Sequence, residues 1–327
     1  MRPLDGLLVV DLTRYLPGAY ASRELLRLGA RVVRLEPPEG DPMRQVAPVW
    51  EAALNAGKES VACDLKAEPA LGRALLARAD VVLEGFRPGV AARLGVGPDD
   101  APESAVYCSI TGFGTEGPHT GRVGHDLNYL GWAGVLEDTA PALPPLQPAD
   151  LAAGALAAAA EILAALLERT RTGRGARLTI SMTHGSHRLV SHRLGPDGGT
   201  ADPIPRFLTG GLAAYRIYAT ADGRHLTVAA LEPKFFVRLC ELLGRPELAE
   251  RHLVAHAQPG LAAELGEIFS TRPLAEWLEL FDGEDVAVGP VATLAEGASV
   301  FGATQPAAAS AAIGEDTAAW RGELGLG

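Results

Sequence analysis

The chain has 327 residues, enough for one large domain or two of ordinary size. Hydrophobic residues make up 47% and charged residues 21%, a balance that excludes wholesale disorder. The formal net charge of −11 argues against nucleic acid as a partner, because a negative surface repels phosphate backbones. Three cysteines at long spacing indicate a reducing, cytoplasmic location rather than a disulfide framework.

The first 115 residues alternate short β-rich runs with helical segments. Strands are predicted at 7–12, 30–36, 60–65, 79–86 and 104–110, with helices through ASRELLRLG and near 68–78 and 88–94. This alternation predicts an α/β fold with a Rossmann-like parallel sheet covered on both faces. The turn after the first strand, DLTRYLPGAYA, has one glycine where a pyrophosphate fingerprint needs three. Neither a nicotinamide nor a flavin cofactor is therefore expected.

A different composition follows the glycine-rich segment 110–129. The stretch LAAGALAAAAEILAALL at 151–167 is alanine-rich and carries Glu161, so we expect a buried helix of a soluble protein rather than a membrane span. A strand in RTGRGARLTISM follows, and 184–211 has the composition of a loop. A hairpin is predicted at 213–231 and helices near 233–243 and 274–281, which together indicate a second, smaller α+β domain.

Three side chains are candidates for chemistry, and each has a structural alternative. Asp150 precedes the alanine-rich helix, where it either caps the helix or acts as an aimed base or nucleophile. His125 is either a hydrogen-bonded structural residue or a base. Glu232 follows the apolar run LTVAAL and either caps the next helix or reaches into a cleft. No metal site is predicted, because the histidine-rich stretch HGSHRLVSH has no Cys or carboxylate at ligand spacing.

Eight segments occur in an order that is far more specific than any one of them. They are VVDLTRYLPGAYASRELLRLGARVVRLEPPEGDPMR, NAGKESVACDLK, ADVVLEGFRPGV, CSITGFGTEGP, GHDLNY, PADLAAG, ERTRTGRGARLTISM and YATADGRHLTVAALEPKFF. In this order they resemble the class III CoA-transferase family, also called the carnitine-CoA-transferase and bile-acid-inducible family, which includes the 2-methylacyl-CoA racemases.

The resemblance implies a domain organisation and an assembly. A Rossmann-like large domain would span 1–183, a linker 184–212, a small α+β domain 213–295, and a C-terminal segment, 296–327, would return to the large domain. Two chains would interlock as a homodimer, with each active site between the large domain of one chain and the small domain of the other. The ligand would be an acyl-CoA thioester, with no cofactor beyond CoA itself, no metal, and no membrane partner.

The resemblance also assigns residues to the ligand. Lys58 and Arg87 match positions that contact CoA, and Arg34 is a further candidate. An acidic protein that binds a polyphosphate needs local cations, which agrees with this assignment.

Three catalytic roles follow by resemblance. Asp150 matches the family's conserved carboxylate, which forms an anhydride in CoA-transferases and is one of two bases in racemases. His125 matches the second racemase base, and Glu232 matches an acid that pairs with it. Together they favour a 2-methylacyl-CoA racemase. A CoA-transferase is the alternative, because Gln147 in PPLQPAD departs from the racemase pattern and the loop at 183–207 looks altered. The third hypothesis is a CoA-binding protein that has lost its catalytic activity, and the intact Asp150 argues against it.

Overall fold

The computed structural model describes residues 2–302 and 309–326. The chain forms two compact units, one of residues 1–192 with 305–327 and the other of residues 193–304. The boundary at 192/193 falls inside the segment expected to be a linker. The return to the first unit begins later than residue 296, because residues 296–302 still belong to the second unit.

Six parallel strands form the sheet of the first unit: β1 (Leu8–Asp11), β2 (Arg31–Glu36), β3 (Glu59–Ala62), β4 (Val81–Glu84), β5 (Val106–Thr111) and β6 (Arg177–Ser181). Their spatial order is β3-β2-β1-β4-β5-β6. Val10 of β1 pairs with Val33 on one side and Val82 on the other. This is the doubly wound order, which confirms the Rossmann-like prediction and places the point of reversal between β1 and β4.

Helices cover both faces of this sheet. They are α1 (Tyr15–Arg27), α2 (Met43–Val46), α3 (Pro48–Asn55), α4 (Pro69–Leu76), α5 (Val90–Arg93), α6 (Asp126–Trp132), α7 (Ala157–Thr172) and α8 (Met182–Val190). Successive residues of a strand point to opposite faces. Val9 accordingly packs in one core with Leu25 of α1, and Val10 packs in the other with Leu71 of α4. Because α8 covers 182–190, the expectation of a loop from residue 184 was wrong for its first part.

The alanine-rich stretch forms a longer helix than its sequence suggested. Residues Ala149–Leu156 have π-type hydrogen bonding and continue into α7, so the helix runs over 24 residues. By length and composition alone it could cross a membrane. Ala155, Ala158 and Ile162, however, are fully buried in the core of the first unit. This packing agrees with the interpretation as a buried helix.

The second unit combines a three-stranded antiparallel sheet with helices. Its strands are β7 (Tyr215–Ala219), β8 (His225–Ala229) and β9 (Val288–Pro290), in the order β7-β8-β9. Its helices are α9 (Pro233–Leu242), α10 (Gln258–Phe269), α11 (Leu274–Phe281) and α12 (Leu294–Phe301). The predicted hairpin and the helices α9 and α11 are present. The sequence did not indicate β9 or α10. The chain then re-enters the first unit and ends its described part with α13 (Thr317–Glu323).

Candidate active site

A cleft of about 690 Å³ opens at the carboxyl edge of the six-stranded sheet. Its walls come from the loops that follow β1, β4 and β5, at residues 12–18, 85–88 and 110–114, and from residues 120–125. The loops after β1 and β4 flank the point where the strand order reverses. In doubly wound sheets this is where ligands bind, because the adjacent loops diverge and leave a crevice. The fold therefore directs a ligand to this cleft.

Asp150 lines the cleft from the π-helical turn before α7. Its carboxyl is largely buried, and burial together with the charge of Asp126 raises its pKa from 3.8 to about 7. A group with a pKa near the working pH is suited both to give and to accept a proton. The helix widening at Asp150 is a second signal, because π-type turns are frequent at functional sites. The sequence placed Asp150 before the helix, whereas it lies within the first turn.

His125 also lines this cleft, at the start of α6, and its side chain is exposed. Its backbone N–H donates to Oδ1 of Asn128 at 3.1 Å, which caps the helix. Within the described residues its imidazole makes no hydrogen bond, so both ring nitrogens are available to a ligand. The structure thus brings the two predicted bases, His125 and Asp150, to one cleft.

Asp126 connects these two groups, and the sequence analysis did not single it out. It is the residue after His125, it is buried, and its Oδ1 accepts the backbone N–H of Asp150 at 3.0 Å. Burial raises the pKa of Asp126, while the hydrogen bonds from the backbone of Asp150 and Ala149 oppose that shift. One carboxylate therefore fixes the helix start that carries His125 relative to the turn that carries Asp150.

Tyr129 forms part of the cleft wall beside the two carboxylates. Its hydroxyl donates to the carbonyl oxygen of Gly124, and its ring lies perpendicular to that of Phe113. Burial, with the charges of Asp150 and Asp126, raises its pKa to about 12. A Cβ at position 112 would lie 2.5 Å from the Tyr129 ring, so Gly112 is the residue that allows this close approach.

Three exposed arginines line the cleft and supply positive charge: Arg14, Arg87 and Arg122. Within the described residues, neither Arg14 nor Arg87 forms an ion pair. Nε of Arg122 donates to Nδ1 of His119, and its guanidinium lies 4.9 Å from the centre of the Trp132 ring. Unpaired guanidinium groups in a concave site are typical of anion binding. Arg14 and Arg122 were not selected from the sequence, where surface arginines are indistinguishable from cleft arginines.

Lys58 does not line this cleft. Its side chain is fully buried, and its ammonium donates to the carbonyl oxygen of Ala19, to Oγ of Ser22 and to Oδ1 of Asn55, at 2.7–2.8 Å. Burial lowers its pKa to about 7, although Asp11 lies 4.0 Å away. To reach a phosphate, as the sequence predicted, the side chain would have to abandon all three acceptors.

Arg34 is likewise buried and engaged within the protein. Its guanidinium lies 2.6 Å from Glu51, 3.3 Å from Glu36 and 3.6 Å from Asp41. Arg44 joins the cluster through a 2.7 Å contact with Glu36. In this structure Arg34 neutralises buried acids at the end of β2, and it offers no free donor face to a phosphate.

Glu232 belongs to the second unit, where it precedes α9 and is exposed. It occupies the N-cap position of α9, as the structural alternative predicted, but its side chain makes no hydrogen bond to the helix. Glu232 is not among the residues that line the cleft of the first unit.

The fold and the cleft together define a Rossmann-like α/β enzyme whose ligand enters at the switch point of the sheet. The family model for CoA-transferase family III matches residues 4–307. An alpha-methylacyl-CoA racemase from Mus musculus is 36% identical over 308 residues, which cover 90% of this chain and 78% of the racemase. A succinyl-CoA:glutarate CoA-transferase, also from Mus musculus, is 31% identical over 328 residues, which cover 90% and 73%.

A solved structure with a similar fold supports the same family assignment. The crystal structure of a CAIB/BAIF family protein from Brucella suis matches this fold with a TM-score of 0.82 at 28% identity, covering 99% of each chain. The chain belongs to CoA-transferase family III, whose members include racemases and CoA-transferases.

Proposed function

We propose that the protein is an acyl-CoA racemase that inverts the carbon next to the thioester of a 2-methylacyl-CoA. The observation that carries this proposal is that His125 and Asp150 line one cleft. Racemisation needs a base on one face of the α-carbon and an acid on the other, whereas anhydride chemistry needs only the carboxylate. The similarity to racemases supports the same choice.

The proton transfers balance without any further reactant. One base removes the α-proton, and the C–H electron pair moves into a C–C double bond while the carbonyl oxygen takes up negative charge. Backbone N–H groups of the glycine-rich segment 110–124 would stabilise this enolate oxygen. The conjugate acid on the opposite face then returns a proton to the carbon. His125 and Asp150 exchange roles when the other enantiomer reacts. An Asp150 pKa of about 7 suits both roles near neutral pH.

Arg87 and Arg14 would hold the phosphates of the CoA moiety at the mouth of the cleft. Both are exposed and make no ion pair within the described residues. Lys58 and Arg34 would support binding indirectly, because each is buried in a network that fixes a neighbouring element. The apolar part of the lining, which includes Phe86, would accommodate the acyl chain.

The proposed assembly is an interlocked homodimer, which would bring the partner subunit's Glu232 to His125. The helix α12 supports a partner of this kind. None of its eight residues is buried, Leu294 is 95% exposed and Phe301 is 87% exposed. A two-turn helix with an uncovered apolar face is marginal in water, so it gains stability only when another surface covers it.

Deuterium uptake tests the proposal. Each enantiomer of a 2-methylacyl-CoA, such as 2-methyldecanoyl-CoA, is incubated with the protein in deuterated water with no acceptor acid present. A racemase incorporates deuterium at C2 and inverts the configuration. His125→Ala should slow exchange from one enantiomer more than from the other, and Asp150→Asn should do the reverse.

The alternative is a CoA-transferase, in which the Asp150 carboxylate attacks the thioester and releases CoA. It is favoured by the same cleft position of Asp150 and by the similarity to CoA-transferases. In that case no deuterium enters without an acceptor, CoA moves to one of a panel of carboxylic acids, Asp150→Asn abolishes transfer, and His125→Ala leaves it largely intact. Full exchange of both enantiomers by His125→Ala would exclude His125 as one of the two bases.

A further inference from the structure

Tyr15 has a backbone conformation that its side chain does not favour. Its φ is 66°, in the left-handed region, where only three described residues other than glycine lie. Such a conformation is unfavourable for a residue with a Cβ, because the Cβ comes too close to the following carbonyl oxygen. Of the three, Tyr15 is the one that lines the cleft; Arg206 and Ala287 lie in the second unit. Strained residues persist where the surrounding structure holds them, and they concentrate at functional sites.

Hydrogen bonds at Tyr15 and two residues before it hold this strained segment. The backbone N–H of Tyr15 donates to Oδ2 of Asp41 at 3.1 Å. Two residues earlier, both the backbone N–H and the hydroxyl of Thr13 donate to Oδ1 of Asp11, at 2.9 and 2.5 Å. The segment 13–15 is therefore anchored to two buried carboxylates, of which Asp11 is 2% exposed and Asp41 is 4% exposed.

The acceptor for Tyr15 is itself fixed in the buried charge cluster. Oδ1 of Asp41 accepts the backbone N–H of Met43 at 2.8 Å, and its own backbone N–H donates to Glu36. The guanidinium of Arg34 lies 3.6 Å from Asp41 and 3.3 Å from Glu36. A buried carboxylate with these partners has little freedom to move, so it can hold the strained backbone of Tyr15 in one place.

The side chain of Tyr15 meets the proposed base. Its ring lies edge-on to the imidazole of His125, with centroids 6.3 Å apart and planes at 86°. Edge-to-face ring pairs are stabilising beyond the apolar area that they bury. Because the His125 imidazole makes no hydrogen bond within the described residues, this ring contact is what orients it inside a single chain.

We infer that Tyr15 is a positioning residue for His125, held by Asp41 so that its ring sets the orientation of the imidazole toward the substrate. The expected effect of Tyr15 on exchange rests on the proposed racemase function, whereas its ring contact with His125 does not. An aromatic residue accounts for the contact, while the backbone alone would favour glycine. The unfavourable backbone conformation of Tyr15 is therefore retained because it places an aromatic ring against His125.

Two variants at one position separate the ring from the backbone. Tyr15→Gly removes the ring and relieves the strain, so it should fold at least as well as the parent. Tyr15→Phe keeps the ring, and most exchange activity should be retained. Ala287→Gly is the matched control, because it relieves the same kind of strain in the second unit.

The first measurement does not depend on activity. Histidine labelled with ¹³C reports the order parameter of the His125 ring, with its resonance assigned by His125→Gln. In Tyr15→Gly the order parameter should fall from above about 0.8 to below about 0.6, while Tyr15→Phe and Ala287→Gly keep the parent value. An unchanged order parameter in Tyr15→Gly would overturn the inference, even if the protein proved to be a transferase.

The second measurement is α-proton exchange from each enantiomer. Misplacing a reacting group by about 1 Å can cost 10²-fold, so Tyr15→Gly should slow exchange from the enantiomer that His125 deprotonates by roughly 10–10²-fold. Exchange from the other enantiomer should change by less than about threefold. Equal slowing of both would overturn the positioning role and indicate a general loss of structure. No exchange in the parent would instead refute the racemase function alone.

Discussion

Replacing Asp150 with Asn should stabilise the folded chain at alkaline pH, although it removes a proposed catalytic group. Burial and the charge of Asp126 raise the pKa of Asp150 from 3.8 to about 7. The folded chain therefore binds this proton more tightly than the unfolded chain does. As pH rises from about 4 to 7, the unfolded state releases the proton first, and the free energy of unfolding falls. An uncharged Asn has no such cost.

The magnitude follows from the two pKa values. One pKa unit corresponds to about 1.36 kcal/mol, so the whole interval sets an upper bound of about 4 kcal/mol. The expected free-energy difference is smaller than this bound, because the carboxyl is partly in contact with solvent and Asn fits the site imperfectly. We expect the free energy of unfolding of Asp150→Asn, relative to the parent, to rise by roughly 1–3 kcal/mol between pH 5 and pH 8. Most of the interval between the unfolded and folded pKa values lies in this pH range.

Urea unfolding at pH 5 and pH 8 measures this difference at one protein concentration, since assembly would shift the apparent stability. Asp99→Asn is the matched control, because Asp99 is an exposed aspartate of the same unit. Its effect should be the same at both pH values. If Asp150→Asn gained no stability relative to the parent between pH 5 and pH 8, the carboxyl would not experience the burial described here.

Three further outcomes are expected. Arg87→Ala should weaken CoA binding by roughly 10–10²-fold and reduce its salt dependence, as seen by calorimetry at two salt concentrations; tight binding at low salt would contradict the phosphate contact. Asp126→Asn should shift the acidic limb of the kcat/KM profile to lower pH for the enantiomer that Asp150 deprotonates, because it removes the charge that, after burial, raises the pKa of Asp150; an unmoved limb would count against this coupling. Lys58→Met should lower the free energy of unfolding by about 2–4 kcal/mol, because three buried partners lose their donor, and a near-neutral result in urea unfolding would show that the network is not stabilising.

The sheet was readable from the sequence because its strands are buried on both faces. Such strands appear as continuous apolar runs, and all six were predicted near their observed positions. The short strand β9 and the helix α10 were not, because Val288–Pro290 is too short to show alternation and the segment 258–269 opens with Pro and Gly. The widening of the helix around Asp150 also left no signal, since alanines accommodate either hydrogen-bonding pattern.

The candidate site was readable only in part. His125 and Asp150 could be chosen by resemblance, but the role of Asp126 depends on a contact across 24 residues. Nothing in the sequence marks Tyr15 as left-handed, because glycine is the usual signal for that conformation. Lys58 and Arg34 were expected to contact the ligand because the resemblance matches them to positions that contact CoA. Their burial depends on partners that only the folded chain brings together.

The first unit is discontinuous, and this has a consequence for how the chain is made. Its edge strand β3 is completed by residues that follow the second unit: Asp316 and Thr317 accept the backbone N–H groups of Ser60 and Ala62, and the fully buried Trp320 fills one core and donates to Glu59. A nascent chain on the ribosome can pair all six strands and even close its second unit early. The backbone N–H groups of Ser60 and Ala62 still lack their acceptors, and the core still lacks the Trp320 side chain, until translation has passed residue 320. A chain released before residue 316 would therefore lack the acceptors of the β3 edge and the Trp320 side chain of this core.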